Sequence, residues 1–253
     1  MIYAVNKKQL VLAAIFFLCL VLCGTLFFVP QPLGAWAAAR KVPVYCVDTE
    51  EKVLSVTFDA AWGADKTEKI LDILDQFGVK ATFFLVGFWT DNFPQKVEEI
   101  HRRGHEIGTH SETHPHLSGL SREKIRSELQ SSSEKITKLT NQKIEVFRAP
   151  FGDYNDKVVE TAQDLGLFTI QWDVDSLDWK GLSAQQICDR VTKRAKNGSI
   201  VLFHNNSDAI VEALPLVLMA LQMKGFAFRP VGQLIYKTDC YTDNNGVQHT
   251  TKT

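Results

Sequence analysis

Two histidines four residues apart, His110 and His114, are the first residues of this chain whose spacing asks for a chemical explanation. An i, i+4 pair lets two imidazoles reach one metal ion from a single helical turn. Asp59 directly follows a β-forming run, Val53 to Phe58, while Arg148 and His204 stand at the ends of two others. A carboxylate suits a general base, a lone histidine suits a general acid, and a guanidinium orients an anion beside it. Each residue alone also has an ordinary structural use. Asp after a strand is a common turn residue or helix cap, paired loop histidines can simply hydrogen-bond, Arg148 can pair with a surface acid, and His204 can be a satisfied strand-end histidine. Five such residues gathered at strand ends point jointly to a hydrolytic centre.

The elements that must position them alternate regularly. Strands are predicted over Val53 to Phe58, Ala81 to Val86, Glu106 to Thr109, Glu145 to Arg148, Phe168 to Trp172, Ser199 to Phe203 and Ala227 to Pro230. Helical periodicity fills the intervals: Asp65 to Phe77, Gln95 to Arg103, a helix opening at the N-cap Ser121, Asn155 to Leu165, Ser183 to Lys196 and Ala209 to Lys224. About seven parallel strands with intervening helices make an α/β architecture, either doubly wound or a closed or partly closed barrel. Periodicity does not choose between these. In a barrel, functional residues gather past the C-terminal ends of the strands, where Asp59, His110 to His114, Arg148 to Gly152, Asp173 to Trp179 and His204 all lie.

The chain opens with an apolar run, Leu10 to Val29, preceded by Lys7 and Lys8. A helix of this length covers the hydrocarbon core of a bilayer, and the lysines favour a cytoplasmic N-terminus. The expectation is one N-terminal transmembrane helix and an extracytoplasmic domain at the cell membrane. The alternative is secretion after signal cleavage at the small residues Ala35 to Ala39. Residues 1–39 are thus assigned to an anchor or signal segment with linker, 45–237 to the catalytic-type domain and 238–253 to a polar, poorly ordered tail. The net charge is −1, and removing residues 1–39, with two lysines and no acid, leaves −3. With no basic excess, nucleic-acid binding is disfavoured. Cys46, Cys188 and Cys240 lie outside the apolar run; a Cys46–Cys240 bridge and unpaired thiols both remain open. The domain is expected to be a monomer.

Five ordered motifs carry a resemblance: Thr57-Phe58-Asp59, His110 to His114, Arg148-Ala149-Pro150-Phe151-Gly152, Asp175-Ser176-Leu177-Asp178-Trp179 and Leu202-Phe203-His204. In order and spacing they resemble the NodB-type polysaccharide deacetylases, and the membrane segment and variant first motif resemble the sporulation-associated branch. The resemblance implies a distorted (β/α) barrel that hydrolyses N-acetyl groups on an amino-sugar polymer such as peptidoglycan or a chitin-like chain. It implies Asp59 as general base, His110 and His114 as ligands of a divalent metal, Zn or another such as Co, and His204 as general acid held by Asp175. Arg148 would orient Asp59, the Phe151 N–H would assist the oxyanion, and Trp179 and Leu202 would wall the acetyl pocket.

One departure bears on the chemistry. The family's first motif has a second aspartate, the third metal ligand, where this chain has Ala60. Asp65, Glu112 or water could fill the place. Two expectations follow: a working metal-assisted N-deacetylase, or a glycan-binding or morphogenetic protein that keeps the fold without turnover.

Overall fold

The computed structural model describes residues 6–27 and 40–252. The chain divides into two units, residues 1–39 and 40–253. In the first, α1 spans Lys7–Phe27. Among the described residues no helix is long and apolar enough to cross a membrane. Part of the run Leu10 to Val29 and the whole cleavage pattern Ala35 to Ala39 lie outside the described residues, so the anchor and cleavage expectations rest on sequence.

In the second unit the strands are β1 (Cys46–Val47), β2 (Val53–Ala60), β3 (Thr82–Leu85), β4 (Glu106–Thr109), β5 (Val146–Phe147), β6 (Phe168–Thr169), β7 (Val174–Asp175), β8 (Ile200–His204), β9 (Ala227–Phe228), β10 (Cys240–Thr242) and β11 (Val247–Thr250). The helices are α2 (Thr67–Gln76), α3 (Gly87–Asn92), α4 (Pro94–Arg102), α5 (Arg122–Thr140), α6 (Asp156–Asp164), α7 (Ala184–Arg194), α8 (Ile210–Met223) and α9 (Val231–Leu234). A parallel sheet runs in the order β6-β5-β4-β3-β2-β8-β7, and β9 also pairs with β2.

All eight residues of the central strand β2 are buried, as expected where parallel strands are covered on both faces. The two ends of the sheet, β6 and β7, are joined by residues 170–173 alone. Laid flat, seven strands would separate those ends by roughly 29 Å, whereas this connection reaches at most about 18 Å. The sheet must therefore curl back on itself. That is a distorted barrel whose first and last strands approach without pairing, and it settles the choice left open by periodicity.

The helices begin where their caps dictate. The Ser121 side chain accepts from the N–H of Lys124, and that of Asn155 from Val158. Ser183 and Gln186 form a capping box at α7. Amphipathic α2 buries Ile70, Leu71 and Leu74 and stops before Gly78, which takes the left-handed conformation that closes the helix.

Three features differ from expectation. The strand expected over Phe168 to Trp172 is confined to β6, and β7 at Val174–Asp175 is a further parallel strand that the sequence reading does not include. Residues 240–250, expected to be poorly ordered, form the hairpin β10–β11 and pair with β1 in a second sheet. Its turn is set by Asp243, whose Oδ1 accepts from the N–H groups of Asn245 and Val247, and by Gly246 at φ +81°. The Cys46–Cys240 bridge is not made: both are free thiols, and Cys240 Sγ donates to the Tyr236 carbonyl.

Candidate active site

The C-terminal ends of the strands open onto a cavity of about 500 Å³. Asp59, His110, His114, Phe151, Asp175, Trp179, Leu202 and His204 all line it. The sequence had not singled out Ala61, Trp62, Trp172 or Asn206, which line it too. Arg148 lies beneath its floor, fully buried.

Parallel register explains the convergence. Asp59 of β2 is aligned with His204 of β8, so base and acid candidates emerge side by side. Thr57 and Asp59, two residues apart on one strand, share a face. Arg148 Nη1 donates to Asp59 Oδ1 at 2.7 Å and to Thr57 Oγ1 at 2.8 Å, while Nη2 donates to the Gln171 carbonyl at 3.0 Å. The guanidinium also lies over the Phe84 ring, 4.1 Å from its centroid. Burial alone would push the Asp59 carboxyl up, but the Arg148 charge, aided by His110 and His204, holds it below the usual carboxylate range. Asp59 is thereby kept ionised and fixed in direction.

His110 and His114 meet, but not on a helical turn. Residues 110–116 are irregular, with Ser111 at φ +68° and His114 at φ +59°. The Ser111 hydroxyl accepts from the His114 N–H at 3.0 Å, and the fold-back brings the two imidazole centroids to 4.9 Å. The sequence spacing was informative although the geometry behind it was different. His110 Nδ1 lies 2.8 Å from the Arg148 carbonyl, which can only accept. The proton is therefore on Nδ1, and Nε2 keeps its lone pair, 3.6 Å from Asp59 Oδ2. Burial pushes both imidazoles down, that of His114 to about 4. Both are neutral at pH 7, the form a metal ligand requires.

A third ligand is missing. Ala60 is buried and carries no donor. Asp65 sits beside Gly63 and is exposed, and Glu112 is engaged by Lys135. Among the described residues, Asp59, already bound to Arg148, is the only carboxylate paired with His110. Among the described residues no group of three His, Cys, Asp or Glu is placed to share an ion. The residues present therefore do not fit a divalent ion held by three protein ligands.

The carboxylate that holds His204 is Asp178, not Asp175. His204 Nδ1 lies 2.8 Å from Asp178 Oδ1, and the His204 backbone N–H donates to Oδ2 at 2.8 Å. Asp175 instead accepts from the Leu177 N–H and faces the cavity. Leu177 at φ +55° turns the chain so that Asp178, three residues after Asp175, returns to the strand end. Burial works against charging His204, but the bond and charge of Asp178, with Asp59 and Asp175 adding to them, raise it above the ordinary histidine value. With Nδ1–H held by Asp178, Nε2 is the atom free to give a proton into the cleft.

Phe151 sits at φ +59° in the turn Pro150–Gly152. Its ring meets His114 edge-on at 4.5 Å and stacks on His116 at 4.3 Å. Leu202 is buried in the wall, whereas the Trp179 indole is exposed at the rim.

These motifs and this fold have known relatives. Residues 47–170 match the family model for polysaccharide deacetylase. The peptidoglycan-N-acetylglucosamine deacetylase of Bacillus cereus is 34% identical over 194 residues, covering 75% of this chain and 91% of that protein. YlxY of Bacillus subtilis is 33% identical over 196 residues, covering 78% of this chain and 61% of YlxY. Among solved structures, BA3943 from Bacillus anthracis, a CE4 family pseudoenzyme, aligns with a TM-score of 0.74 at 35% identity, over 76% of this chain and 68% of that one. The chain belongs to the polysaccharide deacetylase family, carbohydrate esterase family 4, whose hydrolases act on N-acetyl groups.

Proposed function

We propose that this chain hydrolyses N-acetyl groups on a peptidoglycan-type or related N-acetylhexosamine polymer, with Asp59 and His204 as its acid–base pair. The observation that carries the reading is their alignment across one cleft, each held by a buried partner, Arg148 and Asp178. Asp59, ionised, takes a proton from the attacking water. Expulsion of the amine needs a proton, because an amide anion is too basic to leave, and His204 Nε2 supplies it. Arg148 keeps Asp59 aimed and charged until the proton moves. The Phe151 N–H is assigned to the developing oxyanion, and Leu202 with Trp179 to the acetyl methyl group. The likeness to the Bacillus cereus deacetylase supports both substrate class and reaction. Acetate released from peptidoglycan fragments or N-acetyl chitooligosaccharides by the purified chain, with and without added Zn²⁺ or Co²⁺, tests it.

A second reading is favoured by one residue. Ala60 supplies no ligand and no described carboxylate replaces it, an arrangement compatible with a glycan-binding protein that does not turn over. The likeness to a pseudoenzyme supports it. It predicts saturable binding to the same oligosaccharides with no acetate under any divalent ion.

The domain is assigned to the outer side of the cell membrane, with the run Leu10 to Val29 as its anchor and Lys7 and Lys8 on the cytoplasmic side. Protease added to intact cells should digest residues 40–253; complete protection in intact cells would rule this location out.

A further inference from the structure

Exposed aromatic rings are concentrated at the cleft. Among the described residues of the second unit the exposed large aromatics are Trp62, Phe151, Trp179 and Tyr241, each 55–59% exposed, and the first three line the cavity. Phe151 and Trp179 fall in motifs that the function already uses. Trp62 does not.

Its presentation is rigid. Trp62 follows two buried alanines, Ala60 and Ala61, and precedes Gly63 at φ +63°. The Gly63 carbonyl accepts two side-chain hydrogen bonds, from Trp89 Nε1 at 2.7 Å and from Asn205 Nδ2 at 2.8 Å. Trp89 is itself fully buried. A loop anchored at its carbonyl by a core tryptophan and by the residue after His204 holds the indole in water at small conformational cost. The ring touches His114 edge-on, with centroids 5.0 Å apart, which places it on the β4 side of Asp59. Trp179 stands beside Asp178 on the opposite, β7 side.

An indole held half in water at a hydrolytic cleft has a natural ligand in the C–H face of a pyranose ring, which is apolar while the ring's edge carries hydroxyls. The acetamide under attack must lie between Asp59 and His204, so a ring on Trp62 belongs to a neighbouring sugar. We infer that Trp62 is a sugar-stacking residue of an adjacent subsite, which makes this cleft select oligomeric N-acetylated glycan over a single sugar. The inference rests on the glycan-cleft part of the proposed function and not on turnover.

Calorimetric titration of the full chain with N-acetylglucosamine and with its β-1,4-linked pentamer tests it. The wild type should bind the pentamer more tightly than the monomer. Trp62→Ala should weaken pentamer binding by about tenfold while leaving the monomer's affinity within about twofold, and Trp62→Phe should recover most of the loss because the aromatic face returns. The side chain is exposed, so truncation opens no core. Three outcomes would overturn the inference: pentamer binding unchanged in Trp62→Ala, monomer and pentamer weakened by the same factor, or Trp62→Phe no better than Trp62→Ala. Trp62-dependent pentamer binding without acetate release would uphold the subsite and reject turnover.

Discussion

At the scale of single residues, the assignment of Asp178 rather than Asp175 to His204 has a measurable consequence. His204 must be protonated to act as the acid, and Asp178 is the main influence raising its pKa. Activity should therefore fall on the alkaline side as His204 loses its proton, at a pH above the ordinary histidine range. Asp178→Asn should move that limb to lower pH. Asp175→Asn, which removes only a weaker charge, should move it less in the same direction; a larger shift in Asp175→Asn, read from kcat against pH, would reverse the assignment. The sequence made Asp59, His110, Arg148 and His204 legible because each directly ends or follows a strand, and His114 legible by its spacing from His110. It could not separate Asp175 from Asp178, since both lie in one motif and a single left-handed residue, Leu177, decides which one returns to β8. Nor did it single out Trp62, whose place depends on distant anchors, Trp89 and Asn205.

Elements were easier to read than contacts between them. The seven expected parallel strands occur, the central β2 and β3 as apolar runs buried along their whole length, and the expected N-cap at Ser121 is present. The C-terminal hairpin was hidden by its polarity. Its stability rests on hydrogen bonding more than on apolar area: buried Gln248 accepts from the Tyr236 N–H and donates to the Tyr236 carbonyl, both at 2.8 Å. The turn Asp243-Asn244-Asn245-Gly246 was the signal available. Gln248→Ala leaves the Tyr236 N–H unpaired and the Tyr236 carbonyl with only the weak Cys240 thiol donor, and should cost about 2 kcal/mol in urea unfolding. A loss under about 0.5 kcal/mol, the range of an ordinary surface substitution, would make the hairpin peripheral to the domain.

For the whole molecule, neutral histidines withdrawn from water, His105 buried and His114 half-buried, set the acid limit of stability. Burial pushes His105 and His114 down to about 4, and the Ala81 N–H donates to His105 Nδ1, a bond that protonation breaks. Below about pH 6.5 the unfolded chain takes up protons that the folded one refuses, so stability should fall from there to about pH 4. Asp59, whose carboxyl is held low, adds its loss at still lower pH. The urea midpoint should decline steadily from pH 7 to 4.5; a flat profile would contradict the neutral buried forms. The fold as a whole brings five strand ends to one rim, and the central claim is that two aligned residues there, Asp59 and His204, perform the hydrolysis. Acetate release from N-acetyl chitooligosaccharide by the wild type, Asp59→Asn and His204→Ala measures this most directly. Each variant should lose at least about 100-fold in rate while still binding the oligosaccharide; acetate release at the wild-type rate in either variant would contradict the claim.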